Sequence, residues 1–480
     1  IRKIKDGTRG MIILVPEVGR IARFEALLGP LLGPRLCVLH SKLGKGRRIE
    51  NIGRILASES DVVLGTRSAA FAPLKELAFI AVLEEHSPSY KGEEGLRYNA
   101  RDVAVMRGFM QKNCVLLSSV CPSVESVYNA RIGKYTLFKA NGVEAGYPKV
   151  RVIDARPGRR GDLSLTDELS QKAKGLLAAG DRLLLLVNRK GYALIRCEDC
   201  GHIEACGKCK ASLVFHKEEK AMKCHYCGYS RPVAEVCESC KGTSMKLIGA
   251  GTERIKEEVR GTLNAEPLVL EKGRDRGVIS SDLMPVVIGT AYAKRLKYSG
   301  NEAGESGLFG AAALLNMDLL LSQPDFRAYE RAFQEIMQIS QLVRPEGLIY
   351  IQTRALKDET VRLIRDHDFE GFYRSELSQR KALDYPPFSK IILLNILAKE
   401  ALRELLDELG KIMAECGTDD TELLGPVEVA SGSKAYPSCI QIMLKSKNNK
   451  ALHVSAKSLL DRLGALKGIK VVVDVDPLRI

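Results

Sequence analysis

The stretch CEDCGHIEACGKCKASLVFHKEEKAMKCHYCGYSRPVAEVCESC, residues 197–240, decides how the middle of this 480-residue chain folds. A Cys-x-x-Cys turn places two sulfurs on one side of a tight knuckle, and two facing knuckles form a tetrahedral thiolate cage for zinc. Eight of the chain's 13 cysteines form four such pairs here: Cys197/Cys200, Cys206/Cys209, Cys224/Cys227 and Cys237/Cys240. Four knuckles predict two structural Zn²⁺ ions per chain.

The spacing of the pairs indicates which of them share a metal. Fourteen residues separate Cys209 from Cys224, which is close to the spacing of a zinc ribbon. The outer pairs, beginning at Cys197 and Cys237, then form a second site around the first. An alternative, in which the first two pairs share one metal, has to close on a loop of only five residues and stays open.

Other uses of these cysteines fit less well. The 480 residues show no secretory signal, and a cytosolic thiol pool keeps cysteines reduced, so disulfides are disfavoured. A redox Cys-x-x-Cys normally occurs once, beside a βαβ unit. Iron in a Cys₄ site is a competitor, because it uses similar knuckles. The remaining cysteines are scattered singly and are predicted to be small buried hydrophobes: Cys37, Cys114, Cys121, Cys416 and Cys439.

Length and charge set the context for this region. A chain of 480 residues is too long for one core, so several domains are expected. Its net charge of +14 favours a polyanionic partner over a membrane. The apolar run 311–321 contains Asn316 and Asp318, which excludes a membrane span there. Ile1 lies inside a helical pattern, so we expect a longer chain, and we expect a cytoplasmic, nucleoid-associated bacterial protein.

Apolar runs alternate with helical patterns in the first third, which predicts a parallel sheet covered on both faces. The predicted strands there are Met11–Pro16, Val38–His40, Asp61–Gly65, Phe79–Leu83 and Val115–Ser118. A second α/β lobe is predicted from strands at Leu183–Val187, Pro267–Leu270, Val286–Gly289 and Leu348–Gln352. The cysteine stretch falls after the first of these strands, so it is an insertion within that lobe.

The pattern of predicted helices and strands changes near Asp384, where Pro386–Pro387 interrupts regular secondary structure. A strand, a helix, a strand, a helix and a strand then predict a small α+β domain. The predicted fold class is therefore α/β, with five segments: a first lobe at 1–135, the start of a second lobe at 136–195, a double Cys₄ insertion at 196–242, the remainder of the second lobe at 243–383, and a C-terminal α+β domain at 384–480.

Two tandem α/β lobes suggest a nucleic-acid motor, but the nucleotide chemistry is incomplete. A P-loop needs a Gly-rich turn followed by Lys and Ser or Thr, and no G-x-x-x-x-G-K-[ST] occurs in these residues. Phe79–His86 (FIAVLEEH) resembles a metal-binding strand end, yet Leu83 stands at its first acidic position and cannot coordinate Mg²⁺. Glu84 is then a vestigial acid, the nucleotide-binding residues stay unknown, and a role for ATP and Mg²⁺ is doubtful.

Short motifs in a fixed order resemble the primosomal protein N′ (PriA) family of bacterial replication-restart helicases. The motifs before and at the cysteine stretch are Val15–Gly19 (VPEVG), Leu39–Ser41 (LHS), Gly65–Ala69 (GTRSA), Glu84–Lys91 (EEHSPSYK), Tyr98–Asp102 (YNARD) and Asn188–Tyr192 (NRKGY). Those after it are Gly251–Glu253 (GTE), Ile288–Thr290 (IGT), Tyr385–Lys390 (YPPFSK), Leu424–Pro426 (LGP) and Val473–Pro477 (VDVDP).

The resemblance implies two RecA-like lobes of a superfamily 2 helicase, a two-zinc insertion and a C-terminal domain. It implies upstream DNA-binding domains and a P-loop segment, 3′-to-5′ unwinding, and recognition of branched DNA. It also implies partner proteins of the primosome, with single-stranded-DNA-binding protein among them. The zinc module is implicated in partner assembly, and the loop after the acidic strand end couples DNA contact to ATP hydrolysis.

The chain departs from the family pattern where ATP is handled. The family's Asp-Glu-Glu-His begins with Leu83 here, and Leu96 replaces an aromatic residue of the coupling loop. The segments Ser118–Pro122 and Ala291–Leu296 replace the family's Gly-Ser-Ala-Thr-Pro and Gln-Met-x-x-Lys-Gly. At Gln338–Arg344 the chain lacks both glycines of Gln-x-x-Gly-Arg-x-Gly-Arg, whose arginines stabilise the transferring phosphoryl group. The altered motifs all serve ATP hydrolysis. Their loss together predicts decay of ATPase function.

The DNA-contact candidates lie in family-like loops at the ends of first-lobe strands. Arg67, Lys91 and Arg101 are candidates for single-strand contacts, and Tyr90 and Tyr98 are candidates for base stacking worth ~1–3 kcal/mol each. A solvated role for the charges and a packing role for the tyrosines stay open.

Three functions follow from the sequence. The favoured one is a replication-restart protein that binds branched or single-stranded DNA and helps to assemble the primosome without acting as an ATPase. An alternative is an active ATP-dependent 3′-to-5′ helicase whose P-loop lies upstream of Ile1. A further alternative is a zinc-dependent nucleic-acid-binding or protein-binding module.

Overall fold

The structure of the chain, a computed structural model, describes residues 10–139, 146–156, 165–187, 193–197, 199–200, 202, 204, 206–207, 213–216, 221–223, 229–248, 252–270, 284–289, 307–323, 325–399, 402–430, 436 and 438–479. The contacts divide it into two compact units, Ile1–Tyr135 and Thr136–Ile480.

A parallel sheet forms the centre of the first unit. Within residues 10–135 its five strands lie in the order β2-β3-β1-β4-β5. They are β1 Gly10–Leu14, β2 Leu36–Leu39, β3 Val62–Gly65, β4 Leu77–Leu83 and β5 Cys114–Ser118. The helices are α1 Ile21–Leu32, α2 Lys45–Leu56, α3 Ala100–Gln111 and α4 Val124–Arg131.

Side-chain alternation explains why these strands read as continuous apolar runs. Ile12 and Leu14 of β1 belong to one buried cluster, whereas Ile13 and the following Val15 belong to another. Because successive side chains point to opposite faces, both faces of the sheet are packed. Each strand predicted from the sequence in this unit is present, with ends shifted by a few residues.

A second parallel sheet forms the core of the following lobe. In the described residues of this lobe, six strands lie in the order β13-β14-β7-β15-β16-β6. They are β6 Lys149–Asp154, β7 Leu183–Leu186, β13 Pro267–Leu270, β14 Val286–Gly289, β15 Phe309–Leu314 and β16 Val343–Thr353. The helices are α5 Asp167–Ala178, α6 Thr252–Leu263, α7 Asp318–Leu321, α8 Ala328–Ser340, α9 Glu359–Arg365 and α10 Phe369–Ala382.

Strands β6 and β15 were not predicted. Strand β6 is a half-exposed edge strand that carries Lys149 and Arg151, so its apolar signal is weak. Strand β15 consists largely of small residues and lies in an apolar run that continues into α7. No helix in the described portion is long and apolar enough to cross a membrane.

The cysteine stretch forms an antiparallel sheet inserted into this lobe. Its strands are β8 Ala193–Cys197, β9 Val214–His216, β10 Ala221–Lys223, β11 Ser230–Pro232 and β12 Met245–Ile248, in the order β11-β10-β9-β8-β12. It leaves the lobe after β7 and returns at α6. The insertion predicted from the sequence is therefore confirmed. Its small core contains buried Ile195, Leu213 and Met222.

The C-terminal part is an antiparallel sheet with helices on one face. Its strands are β17 Lys390–Ala398, β18 Thr421–Ala430, β19 Ser438–Ser446 and β20 Ile469–Val475, in the order β18-β19-β17-β20. Helices α11 Leu402–Cys416 and α12 Asn449–Leu463 pack against it in a shared core. Two strands separate the helices where the sequence predicted one. The result is a β-α-β-β-α-β arrangement of ferredoxin-like topology, and the predicted α/β fold class with a terminal α+β domain is confirmed.

Candidate functional site

Four cysteine sulfurs lie together at one end of the inserted sheet. Cys197 ends β8 and Cys200 follows it, while Cys237 and Cys240 lie in the turns before β12. Their Sγ atoms all lie within 4.8 Å of one another. The Sγ atoms of Cys197 and Cys240 are 3.5 Å apart, and those of Cys200 and Cys237 are 3.6 Å apart. A tetrahedral ion with Zn–S bonds of about 2.3 Å holds sulfurs about 3.8 Å apart, so the donor set fits zinc.

Backbone hydrogen bonds shape the two knuckles. The N–H of Cys197 donates to the carbonyl of His202 (2.9 Å), and the N–H of Cys237 donates to the carbonyl of Gly242 (2.8 Å). The N–H of Gly242 lies 3.4 Å from the sulfur of Cys240. A Cβ at position 242 would lie 2.0 Å from Asp199 Oδ2 and 3.2 Å from Cys240 Sγ, so a larger residue there would displace the Asp199 side chain.

The electrostatics of this cluster favour a cation. The backbone N–H of His202 lowers the pKa of the Cys200 thiol to about 7. The N–H of Gly242 lowers the pKa of Cys240, but the neighbouring sulfurs of Cys200 and Cys197 raise it to about 12. Four thiolates at this spacing repel one another, and a divalent ion removes that repulsion because metal ligation requires the deprotonated sulfur.

The other four cysteines are described only in part. Cys206 is fully buried in the small core of the insertion. Cys209, Cys224 and Cys227 lie outside the described residues. The structure therefore brings together the outer pairs, which is the arrangement that nested pairing predicts, and the inner cage stays a prediction.

An arginine joins the surroundings of the two predicted cages. Arg231 on β11 pairs with Glu204, two residues before Cys206, and with Glu238, which lies between the outer cysteines Cys237 and Cys240. The Glu204 side chain is fully buried. Sequence reasoning missed this pair, because no local pattern connects positions so far apart in the chain.

The acids at the end of β4 are both engaged in ion pairs. Glu84 has a φ of 52° and pairs with Arg20. Glu85 is 2% exposed and accepts hydrogen bonds from the N–H of Ser123 (2.6 Å), the hydroxyl of Ser123 (3.0 Å) and Arg101 (3.2 Å). Glu85 thus anchors the start of α4, and Leu83 stands where the family has an acid.

Arginine and lysine candidates for DNA contact are largely held by the protein. Arg67 donates to the carbonyl of Lys91 (2.6 Å), and Lys91 is only 7% exposed. Burial lowers the pKa of the Arg101 guanidinium, but the carboxylates of Asp102 and Glu85 raise it well above its usual value. Arg101 therefore stays charged inside an ion-pair network.

The two candidate tyrosines are packed to different degrees. Tyr90 is fully buried, and its hydroxyl oxygen lies 2.9 Å from the carbonyl oxygen of Leu14 and 2.6 Å from that of Leu83, so its one hydrogen is shared between two acceptors. Its ring cannot reach a base in this conformation. Tyr98 is partly exposed and packs edge-on against Phe71, with ring centroids 5.0 Å apart.

The segment Gln338–Arg344 ends α8 and begins β16. Arg344 pairs with Asp181, and its Nε lies 3.7 Å from a carboxylate oxygen of Glu346. The arginine nearest to the family's phosphoryl-binding position is therefore tied to carboxylates of its own lobe.

Comparisons with known proteins agree with these features. The pattern described as "PriA DNA helicase Cys-rich region (CRR) domain" matches residues 206–232, and the "Primosomal protein N C-terminal domain" matches residues 381–478. The replication restart protein PriA of Treponema pallidum is 31% identical over 98% of this chain and 73% of its own length. The chain belongs to the replication restart protein PriA family.

Relatives of the PriA family are longer than this chain. PriA of Bacillus subtilis is 30% identical over 99% of this chain, which spans 61% of that relative. Among solved structures, RecG bound to a three-way DNA junction aligns with 78% of this chain and 40% of its own, with 9% identity and a TM-score of 0.43.

The PriA Cys-rich match covers all four cysteines of the inner predicted cage, so together with the outer cluster it identifies the insertion as a zinc-binding region.

Proposed function

We propose that this chain is a replication-restart protein that binds branched or forked DNA and helps to assemble the primosome, with degenerate ATPase activity. The proposal of degenerate ATPase activity rests on one observation. Glu84 and Glu85 are both engaged in ion pairs, beside Leu83. An acid that binds Mg²⁺ or orients water needs free oxygen atoms facing the nucleotide.

The state of the two acids supports this proposal in different ways. Glu85 is buried and accepts three hydrogen bonds from α4 and Arg101, so its oxygens serve the fold. Glu84 is partly exposed, but Arg20 neutralises it. Arg344, paired with Asp181, is likewise occupied in the second lobe. In the described part of the chain, Leu83 replaces one acid of the family's nucleotide site, and Glu84, Glu85 and Arg344 are engaged in ion pairs.

The zinc module is the proposed assembly surface. We assign two Zn²⁺ ions per chain, one to the outer cysteines and one to Cys206, Cys209, Cys224 and Cys227. Other primosome proteins and single-stranded-DNA-binding protein are its proposed partners. Binding to chromosomal DNA would give the protein a nucleoid-associated location.

Of the DNA-contact candidates, Arg67 and Tyr98 have partly exposed side chains. These two are the proposed DNA contacts. Lys91 and Arg101 are proposed to support the position of Arg67 and of α4, since Lys91 accepts from Arg67 through its carbonyl and Arg101 pairs with Glu85.

The test compares fork binding with ATP hydrolysis on the same protein. We expect the chain to bind an oligonucleotide fork more tightly than a linear duplex of equal length, and to show no DNA-stimulated ATP hydrolysis above the level of its Glu84→Gln variant. Hydrolysis that is stimulated by the fork and abolished by Glu84→Gln would overturn the degenerate assignment and favour an active helicase. Equal affinity for fork and duplex would overturn the restart assignment and favour a general zinc-dependent binding module.

A further inference from the structure

A run of cations without carboxylate partners begins in the turn after β2 and continues into the first turn of α2. Lys42, Lys45, Arg47 and Arg48, here named the basic segment, are all exposed. Within the described residues, none of the four is recorded in an ion pair with a carboxylate. The sequence KLGKGRR at residues 42–48 contains these four basic residues within seven positions. None of them was among the DNA contacts predicted from the sequence.

Two arginines that flank the basic segment in the sequence differ from it, because each lies within 4.0 Å of a carboxylate. Arg35 binds Asp61 through two hydrogen bonds of 2.9 and 2.6 Å. Arg54, farther along α2, lies 4.0 Å from Glu59 and donates to the carbonyl of Pro34. Carboxylates do lie in the vicinity of the basic segment. Glu50 follows it on α2, and Glu25 raises the pKa of His40 while burial and Lys42 lower it. Four cations against two acids leave an excess of positive charge.

The basic segment begins at the carboxyl edge of the first sheet, where the parallel strands end. Strands β2 and β3 are parallel neighbours, so the residues that follow them emerge at the same edge. The N–H of Thr66 donates to the carbonyl of Leu39 (3.2 Å), and a Cβ at Gly65 would lie 2.1 Å from that carbonyl oxygen. The turn that carries Arg67 therefore adjoins the end of β2, from which the basic segment continues. Ligands of open parallel sheets bind at the carboxyl ends of the strands.

We propose that the basic segment is a binding surface for the phosphate backbone of DNA and extends the contact made at Arg67. This inference rests on the proposed DNA-binding function and names a surface of that activity. Lysine and arginine side chains without carboxylate partners gain more from a phosphate than paired ones do, because no existing ion pair has to be broken. The segment contains no aromatic side chain, so it contributes charge and salt dependence and does not stack on bases.

The experiment measures the salt dependence of fork binding by two matched variants. Lys42→Gln/Lys45→Gln removes two charges from the basic segment. Lys75→Gln/Lys112→Gln removes two exposed charges that precede β4 and β5, at the amino edge of the same sheet. The probe is a fluorescein-labelled oligonucleotide fork, followed by anisotropy over a series of NaCl concentrations.

We expect the slope of log affinity against log salt to become shallower by about 1.4–1.8 in the basic-segment variant, since each of the two lost phosphate contacts removes about 0.7–0.9. The amino-edge variant should keep the parent slope. Adding Arg47→Gln and Arg48→Gln should roughly double the change.

An unchanged slope in the basic-segment variant overturns the inference while the proposed function stands, because the parent still binds the fork. Equal loss in both variants also overturns it, since that result reports net charge alone. A parent chain that does not bind the fork overturns the proposed function together with this surface. Retained folding of both variants is checked by their thermal unfolding.

Discussion

The cysteine insertion and the carboxyl edge of the first sheet carry different amounts of functional chemistry. In the insertion, four sulfurs converge with their metal-binding atoms facing one another. At the sheet edge, Glu84 and Glu85 point to partners inside the protein, Arg20 and Arg101. One region holds a complete ligand set that needs a cation, whereas the other has satisfied its charges without a ligand.

The proposed loss of ATPase function is compatible with an intact scaffold for a physical reason. Bound metal would stabilise the insertion itself, because the part of this small sheet that the structure describes has only four buried core residues. Loss of a nucleotide ligand leaves the first sheet intact, since its two apolar faces hold it together.

Removal of one cysteine ligand is expected to have the largest effect, and it tests the zinc sites of the insertion directly. We expect two zinc atoms per chain in the parent and one after Cys237→Ser, because the outer site loses a ligand while the inner site keeps its four. Elemental analysis of the purified chain measures this. Cys439→Ser, a buried cysteine of the C-terminal sheet, is the control and should retain two. Iron in the parent, or a single zinc, would contradict the double cage.

A second large effect is expected from the arginine that joins the two cages. Arg231→Ala leaves the fully buried Glu204 carboxylate without its partner, which costs about 3–5 kcal/mol for a buried pair. The insertion should then exchange its amide hydrogens faster and release zinc faster to a chelator.

The matched variants for this prediction are Arg231→Lys and Arg231→Ala/Glu204→Gln. The lysine keeps the charge, and the glutamine removes the unpaired one, so both should recover part of the lost stability. If Arg231→Ala releases zinc at the parent rate, the arginine does not support the cages.

A smaller effect is expected at the buried acid of the first sheet. Glu85→Gln replaces a carboxylate that accepts from Ser123 and Arg101, so it should lower the free energy of unfolding of the first unit by about 1–3 kcal/mol. Denaturant unfolding measures the loss. Asp102→Asn, whose side chain is half-exposed and also pairs with Arg101, is the control and should cost about 1 kcal/mol or less. Equal losses would show that burial of Glu85 is unimportant.

The smallest effect is expected at Glu84. Glu84→Gln removes one partner of a partly exposed ion pair with Arg20, which is worth about 1 kcal/mol or less. Fork affinity and unfolding should both stay close to the parent values. A fork affinity that falls tenfold or more would place Glu84 in the working site and weaken the contrast with the cysteine insertion.

Sequence reasoning succeeded where a local pattern carried the structure. Leu183–Leu186 and Val286–Gly289 are uninterrupted apolar runs, and both are central strands. It failed at β6, where charged residues alternate with apolar ones at a sheet edge. It also predicted one strand between the two C-terminal helices, where the structure has both β18 and β19.

The candidate site was predicted in part for the same reason. Cysteine spacing is a local signal, so the outer cluster could be anticipated from the sequence. Side-chain exposure is a global property, and no local pattern shows that Tyr90 is fully buried with its hydroxyl between the carbonyls of Leu14 and Leu83. The same holds for the exposed, unpaired basic segment.

The sequence by itself determined the family, the α/β class and the cysteines available for zinc, because motif order, hydrophobic period and ligand spacing are written along the chain. Only the tertiary structure decided which sulfurs meet, which acids are already neutralised and which cations face solvent. Those outcomes depend on contacts between residues far apart in sequence, such as Glu84 with Arg20 and Glu204 with Arg231.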